Sequence, residues 1–297
     1  MKPSELWSYF VTRDERMEER MREIEEQERR IKTRMAKIKH KLAILSGKGG
    51  VGKSTIAANL AIAFARKSYR VGILDADIHG PSIPKMLGLR GQELMASRIE
   101  GLGIFPVRGP FDIKVVSMDF LLQSDETPVI WRGPAKIGVI RQFLADVVWG
   151  DLDFLLVDLP PGTGDEPLSV MQLIPGIDGV LMVTAPSEVS QIVVKRAIGF
   201  TKELHVPLIG IIENMSGFVC PKCGAEFDIL GAGGGRRISE ELNVPFLGRI
   251  PIDQNVCEDS DKGTPFVIQH AESLTAKAFM EVVGKIEEYL RHLGERP

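Results

Sequence analysis

The sequence predicts an α/β fold: a mostly parallel sheet flanked by helices, behind a charged helical extension at the N-terminus. Three observations carry this. From Lys41 onward, short apolar runs alternate with amphipathic stretches, the rhythm of βαβ units. Residues 42–55, LAILSGKGGVGKST, read as strand, glycine-rich loop and helix start. Aspartates close two apolar runs, at Asp75 and Asp158, and ligands of open parallel sheets gather beyond the carboxyl ends of the strands.

Taken in order, residues 12–41 are dense in Glu, Arg and Lys and lack Gly and Pro. Met17, Met21, Ile24, Ile31, Met35 and Ile38 recur at intervals of 3, 4 or 7, a thin apolar stripe at helical spacing. Residues 1–40 are therefore expected to form an exposed helix or helical pair, either docked on a partner subunit or simply solvated. Residues 41–297 form the α/β body. Its expected strands cover 42–45, 70–74, 103–105, 113–117, 154–157, 179–183, 207–212 and 246–250. Its expected helices cover 54–67, 134–149, a stretch ending near His205, and 273–293. The last mixes Glu281, Lys285, Glu287, Glu288 and Arg291 with apolar residues, the pattern of one packed and one solvated face.

Composition narrows the function classes. With 297 residues, 44% hydrophobic and 26% charged, the chain suits one large globular domain with a modest extension. A net charge of -3 gives no overall basic field, so bulk nucleic-acid binding is not expected. No apolar run approaches a membrane span, and the N-terminus lacks the apolar core of a signal peptide. Three cysteines argue against a disulfide framework and for a reducing, cytoplasmic setting.

The glycine-rich loop is a nucleotide site by its chemistry. Gly47, Gly49, Gly50 and Gly52 let the backbone turn tightly and bring N–H groups, Val51's included, close to an anion. The helix opening at Lys53, Ser54 and Thr55 adds the positive end of its dipole. Lys53 is placed to reach terminal phosphates, and the Ser54 hydroxyl to ligate Mg²⁺. Asp158 ends a strand and begins DLPPGTGD, the Walker B arrangement that holds Mg²⁺ through water, with Gly162 as a backbone switch beside the γ-phosphate. Asp75 and Asp77 flank the end of another strand, where hydrolysis needs a positioned acceptor for the attacking water; Asp75 alternatively only caps a turn. Asn214, in ENMSG, carries the donor and acceptor that an adenine edge requires.

Cys220 and Cys223 stand at C-x-x-C spacing just beyond Asn214. Two thiolates share one soft metal centre, but zinc and a [4Fe–4S] cluster both want four ligands. By residues alone zinc and iron–sulfur stand level, with a redox dithiol behind them. Cys257 has no nearby partner in sequence and is expected to be a packed structural thiol.

KGGVGKST, with its early lysine Lys48, resembles the deviant Walker A of the superfamily that includes MinD, ParA and the nitrogenase iron protein. DADIHGPSIP, VIWRGP (residues 129–134), DLPPGTGD and ENMSGFVCPKCG together resemble its Mrp/ApbC-type P-loop ATPases, from about Lys41 to the C-terminus. The resemblance implies that Lys48 reaches across a homodimer to the partner's nucleotide, where residues alone allow a solvated loop charge. It implies Asp75 as a partner of the Mg²⁺ shell, Asp77 as the group that orients or deprotonates water, and Asn214 with Pro251, Ile252 and Asp253 as the base-recognition loops. It further implies a slow, Mg-dependent ATPase that carries a [4Fe–4S] cluster at its dimer interface, receives it from a cluster donor and passes it to apoproteins. Residues 1–40 depart from relatives with an N-terminal cysteine cluster, since they contain no cysteine. Two other readings are a MinD- or ParA-like positioning ATPase, which needs a membrane-binding tail or a DNA patch, and a zinc-bridged, nucleotide-switched interaction module.

Overall fold

The computed structural model describes residues 3–99, 101–122, 133–220 and 222–294, with side chains from residue 18 onward except 188–193 and 294. In VIWRGP, Val129 to Arg132 lie outside the described residues, as do Pro221 and the side chain of Met17.

The chain runs α1 (Pro3–Met35), β1 (Ile38–Ser46), α2 (Lys53–Arg66), β2 (Val71–Asp75), α3 (Ile83–Met86), β3 (Met95–Ala96), β4 (Ile104–Phe105), β5 (Val107–Arg108) and β6 (Lys114–Ser117). It continues with α4 (Gly133–Asp146), β7 (Leu152–Asp158), α5 (Asp165–Leu173), β8 (Gly179–Thr184), α6 (Glu188–Glu203), β9 (Leu208–Val219) and β10 (Glu226–Phe227). The last elements are α7 (Gly234–Leu242), β11 (Phe246–Ile252), α8 (Gln254–Lys262), α9 (Phe266–Gln269) and α10 (Leu274–Gly294). The main sheet has the order β10-β9-β8-β1-β7-β2-β6-β5, with β11 also paired to β9. All its pairings are parallel except β5 with β6 and β10 with β9.

β1 lies at the middle because it is apolar on both faces. Leu42 and Ile44 point into one core with α2 and α10, while Ala43 and Leu45 point into the other with α4 and α6. On α10, Phe279, Val282, Val283, Ile286 and Leu290 are buried, so the apolar face of this helix is spent on the sheet.

Two expectations need adjustment. The helical stripe ends at Met35, and Ile38 already belongs to β1, where it pairs with Leu152. The expected single or paired helix is one helix, and among its described side chains only those near the C-terminal end are packed. Ile31 and Met35 are buried in the α4-side core, while Met21 and Ile24 are 58% and 46% exposed. Arg30–Asp146 and Arg141–Glu28 ion pairs tie this last stretch to α4. Second, β9 does not stop at Ile212. It continues through Asn214 to Val219, because β11 and β10 supply backbone partners along that length. Met215 takes a left-handed φ of 57° inside it, and Gly217 one of 76°.

Candidate functional site

The carboxyl ends of β1, β2 and β7 and the middle of β9, at Asn214, converge on the glycine-rich loop. Gly50 and Gly52 have φ of 78°, conformations that bend the loop back toward α2. Ser46 Oγ donates to the Lys48 carbonyl at 3.0 Å, closing the start of the turn. A cavity of about 200 Å³ opens here, lined by Lys48, Gly49, Gly50, Gly52, Lys53, Ser54, Thr55 and Asp77, among others.

Lys53 is buried and its Nζ lies 2.6 Å from Asp158 Oδ1 and 3.9 Å from Asp77 Oδ2. Ser54 Oγ donates to Asp158 Oδ2 at 2.5 Å. Asp75 is buried at the end of the neighbouring strand, its carboxylate accepting from Ser117 Oγ at 3.1 Å and from the Asp77 and Ile83 N–H groups at 3.3 and 3.4 Å. Burial, and then the Asp158 charge, push Asp75 up to about 8. Burial also raises Asp158, against the pull of Lys53. Two adjacent buried carboxylates beside a hydroxyl are a donor set that a hard divalent cation suits, since its charge removes their mutual repulsion. The Gly162 N–H, expected beside the γ-phosphate, donates instead to the Ser46 carbonyl at 2.8 Å, and Gly162 has a φ of 97°.

Asn214 is buried against the loop. Its Nδ2 donates to the Val51 carbonyl at 2.9 Å, and a Cβ on Gly52 would fall 2.2 Å from that nitrogen. A second cavity, about 370 Å³, shares Thr55 and Met86 with the first and is walled by Asn214, Met215, Pro251, Ile252 and Asp253, among others. The phosphate-sized and base-sized spaces are thus neighbours, with Thr55 and Met86 on the wall of each. Asp253 also caps α8, accepting from the Asn255 N–H at 3.0 Å.

The cysteine pair sits on a hairpin that rises from β9. Cys220 N–H donates to Ala225 O at 2.8 Å and Gly224 N–H to Cys220 O at 2.9 Å, so a tight turn brings the two cysteines together. Backbone N–H groups of Cys223 and Lys222 lower the Cys220 thiol, favouring the thiolate that metals bind. Among the described residues, no group of three or more His, Cys, Asp or Glu is placed to hold a metal ion. Cys257 is a correction: it is exposed on α8 and lines the base-sized cavity, because that polar helix buries little beyond Asp259.

Sequence reasoning passed over Lys136. It is buried at the start of α4, its Nζ 2.6 Å from Glu166 Oε1 and in contact with His79 Nε2. It joins the loop after β2 to the start of α5, and its hydrogen bond holds Glu166 below the usual carboxylate range. The only sequence signal was its place just after the VIWRGP motif.

With this geometry in view, the family is decided by a model described as the ParA-type NUBPL iron-transfer P-loop NTPase, which matches residues 37–287. The chain belongs to this family. Curated relatives of the iron-transfer NTPase include the iron-sulfur cluster carrier protein of Methanocaldococcus jannaschii, 55% identical over 248 residues, spanning 84% of each chain. That of Saccharolobus solfataricus is 52% identical over 246 residues, 83% of this chain and 82% of the relative. Among solved structures, a nucleotide-binding protein from Archaeoglobus fulgidus, in complex with ADP and with Co, aligns with TM-score 0.71 and 41% identity over 80% of this chain and 91% of that one. The cell division ATPase MinD of Pyrococcus furiosus aligns with TM-score 0.62 at 24% identity, over 84% of this chain and 99% of that one, and speaks to the fold alone.

Proposed function

We propose that this iron-transfer P-loop NTPase is a homodimeric, Mg-dependent ATPase that holds a [4Fe–4S] cluster between the Cys220–Cys223 pairs of two subunits and passes it from a donor to apoproteins. The observation that carries this reading is that β9 bears both halves of the machinery. It presses Asn214 against the glycine-rich loop and, a few residues on, raises the two thiols on an open hairpin. The relatives named as cluster carriers support the cargo.

In this reading Gly47 to Thr55 bind the phosphates, with Lys53 facing the terminal ones. Asn214, Pro251 and Asp253 take the base. Ser54 and Asp158 hold Mg²⁺, with Asp75 behind them, and the ion supplies neutralisation of the phosphate oxygens. Asp77 orients the attacking water and accepts its proton. Lys48 serves the partner's nucleotide, and Gly162 exchanges its bond to Ser46 O for one to the γ-phosphate. The charged helix α1 acts as an arm on the ATPase body, which begins with β1 at Ile38 and not at Lys41, and the protein works in the cytoplasm.

The deciding experiment is anaerobic reconstitution of the full chain, followed by iron and sulfide analysis with UV–visible and Mössbauer spectra. About one [4Fe–4S] per dimer is expected, two thiolates from each subunit under the four-cysteine rule. Cys220→Ser and Cys223→Ser should lose it, and Cys257→Ser should keep it. Tightly bound zinc alone in the wild type would overturn the carrier reading and favour the zinc-bridged module. Loss of the cluster in folded, dimeric Cys257→Ser would overturn the symmetric four-thiolate arrangement.

A further inference from the structure

Cys220, Cys223 and Leu230 belong to one excursion that leaves β9 at Val219 and returns at α7. Its near end folds back on the strand, with Glu226 paired to Val219 and Phe227 to Phe218. Its far end is pinned by Glu213, the residue before Asn214. Glu213 is fully buried, and its carboxylate accepts from Ser216 Oγ, from the Gly233 N–H at 2.8 Å and from the Gly235 N–H. Both ends of the excursion are therefore anchored to the strand that carries Asn214.

Between those anchors, Leu230 lies on the wall of the 370 Å³ cavity that Asn214, Met215 and residues 251–253 also line. It is 52% exposed, an apolar side chain at a cavity mouth whose other walls include Ile250, Val256 and Phe279. A planar heteroaromatic ring entering this space would cover Leu230 and gain an apolar face in return. Gly224 and Gly231, with φ of 72° and 88°, lie at the two ends of the stretch that carries β10 and Leu230 and links the cysteine turn to the cavity wall.

We propose that Leu230 is a nucleobase contact contributed by the cysteine excursion, so that a seated base fixes the Cys220–Cys223 hairpin within a single subunit. The proposal rests on the reading of this cavity as the base site. It requires no movement of one subunit against another. Ligand at one site then changes the other by a coupling that works in both directions.

The test uses the reduced, metal-free full chain, at a concentration where sedimentation shows a single subunit. Alkylation rates of each cysteine are read by mass spectrometry with no ligand, with Mg-ADP and with Mg-pyrophosphate. Both ligands fill the phosphate loop, but only ADP carries a base. ADP should slow Cys220 and Cys223 by about 5-fold, the lower range of allosteric couplings, and pyrophosphate should not. Cys257, on the same cavity wall, reports whether the base is seated. In Leu230→Ala, at ADP concentrations that still protect Cys257, the pair should react at its ligand-free rate.

Protection of Cys257 without protection of the pair would overturn the inference and leave the base site standing. Failure of calorimetrically bound ADP to protect Cys257 would overturn the base site and the inference together, as would failure of ADP to bind. Equal protection by pyrophosphate would place the coupling in the phosphate loop, and protection that appears only with dimers would place it between subunits. Either result overturns the proposal.

Discussion

At the scale of single residues, burial does the electrostatic work. Lys53, Asp75 and Asp158 are all taken out of water, and burial pushes both carboxyls above their ordinary range. Removing Lys53 deletes the cation that faces both Asp158 and the terminal phosphates. Lys53→Ala should lower ATP turnover at least ~100-fold, the scale of losing one preorganised charge partner. Wild-type-like turnover would remove the phosphate-loop reading, and a parallel melting curve separates this effect from the cost of stranding Asp158. Asp75 makes a prediction of opposite sign. Its carboxyl stays protonated up to about 8 in the fold, whereas it ionises near its ordinary 3.8 when unfolded. Between those values the native state binds more protons, so stability contributed here is full below pH 4 and is lost as pH rises toward 8. Asp75→Asn should therefore raise Tm of the nucleotide-free protein more at pH 8 than at pH 5. Each 1 kcal/mol recovered is worth about 2 °C or slightly less in a chain of this length. Equal shifts at both pH values would show that Asp75 ionises normally.

At the scale of elements, α1 divides into a docked and an undocked part. Met35→Ala removes a fully buried side chain and should cost about 2–5 kcal/mol in urea unfolding. Met21→Ala on the same stripe should change stability by no more than ~0.5 kcal/mol, as a surface substitution does. Comparable losses would mean that the whole stripe is buried in solution, by a partner or a second copy. The stripe itself was legible because helical spacing is a local signal, and so were β1, the glycine-rich loop and α2, whose pattern lies within fourteen consecutive residues. What was not legible depends on distant partners. Polar residues beyond Ile212 give no strand signal, yet β11 and β10 hold Asn214 and Phe218 in the sheet. Lys136 finds its partners 57 and 30 residues away, at His79 and Glu166. The exposure of Cys257 depends on how α8 sits against its neighbours, while the general habit of free cysteines is burial. Of the site, the loop and its aspartates were readable from motif spacing. The adjacency of the phosphate and base cavities was not, because Thr55 and Met86 line both only once α2 and α3 are packed together.

At the scale of the whole molecule, the proposed roles of Lys48 and of the cysteine pair both call for two-fold symmetry. Each chain places two thiols on its hairpin, while a four-ligand centre asks for four. Lys48 lines the phosphate cavity from the loop's outer turn, with Lys53 already paired to Asp158 inside it. On the proposed function, this second lysine serves charge that arrives from outside the subunit, and a two-fold dimer would bring it there reciprocally. Lys48→Ala should still bind ATP but hydrolyse it at least ~100-fold more slowly, because charge developing in the transition state loses one cation. Asp77→Ala should be equally inactive, having lost the acceptor for the attacking water. Mixing the two variants separates action in trans from action in cis. In the heterodimer, one composite site joins the intact Lys48 of one subunit to the intact Asp77 of the other, while the second site carries both defects. Activity should return toward half the wild-type value per heterodimer in the mixed sample. Were Lys48 to act on its own subunit's nucleotide, every site in the heterodimer would carry one defect and mixing would restore nothing. Confirmed heterodimers without recovered turnover would therefore place Lys48 in cis and remove the nucleotide-bridged dimer from the mechanism.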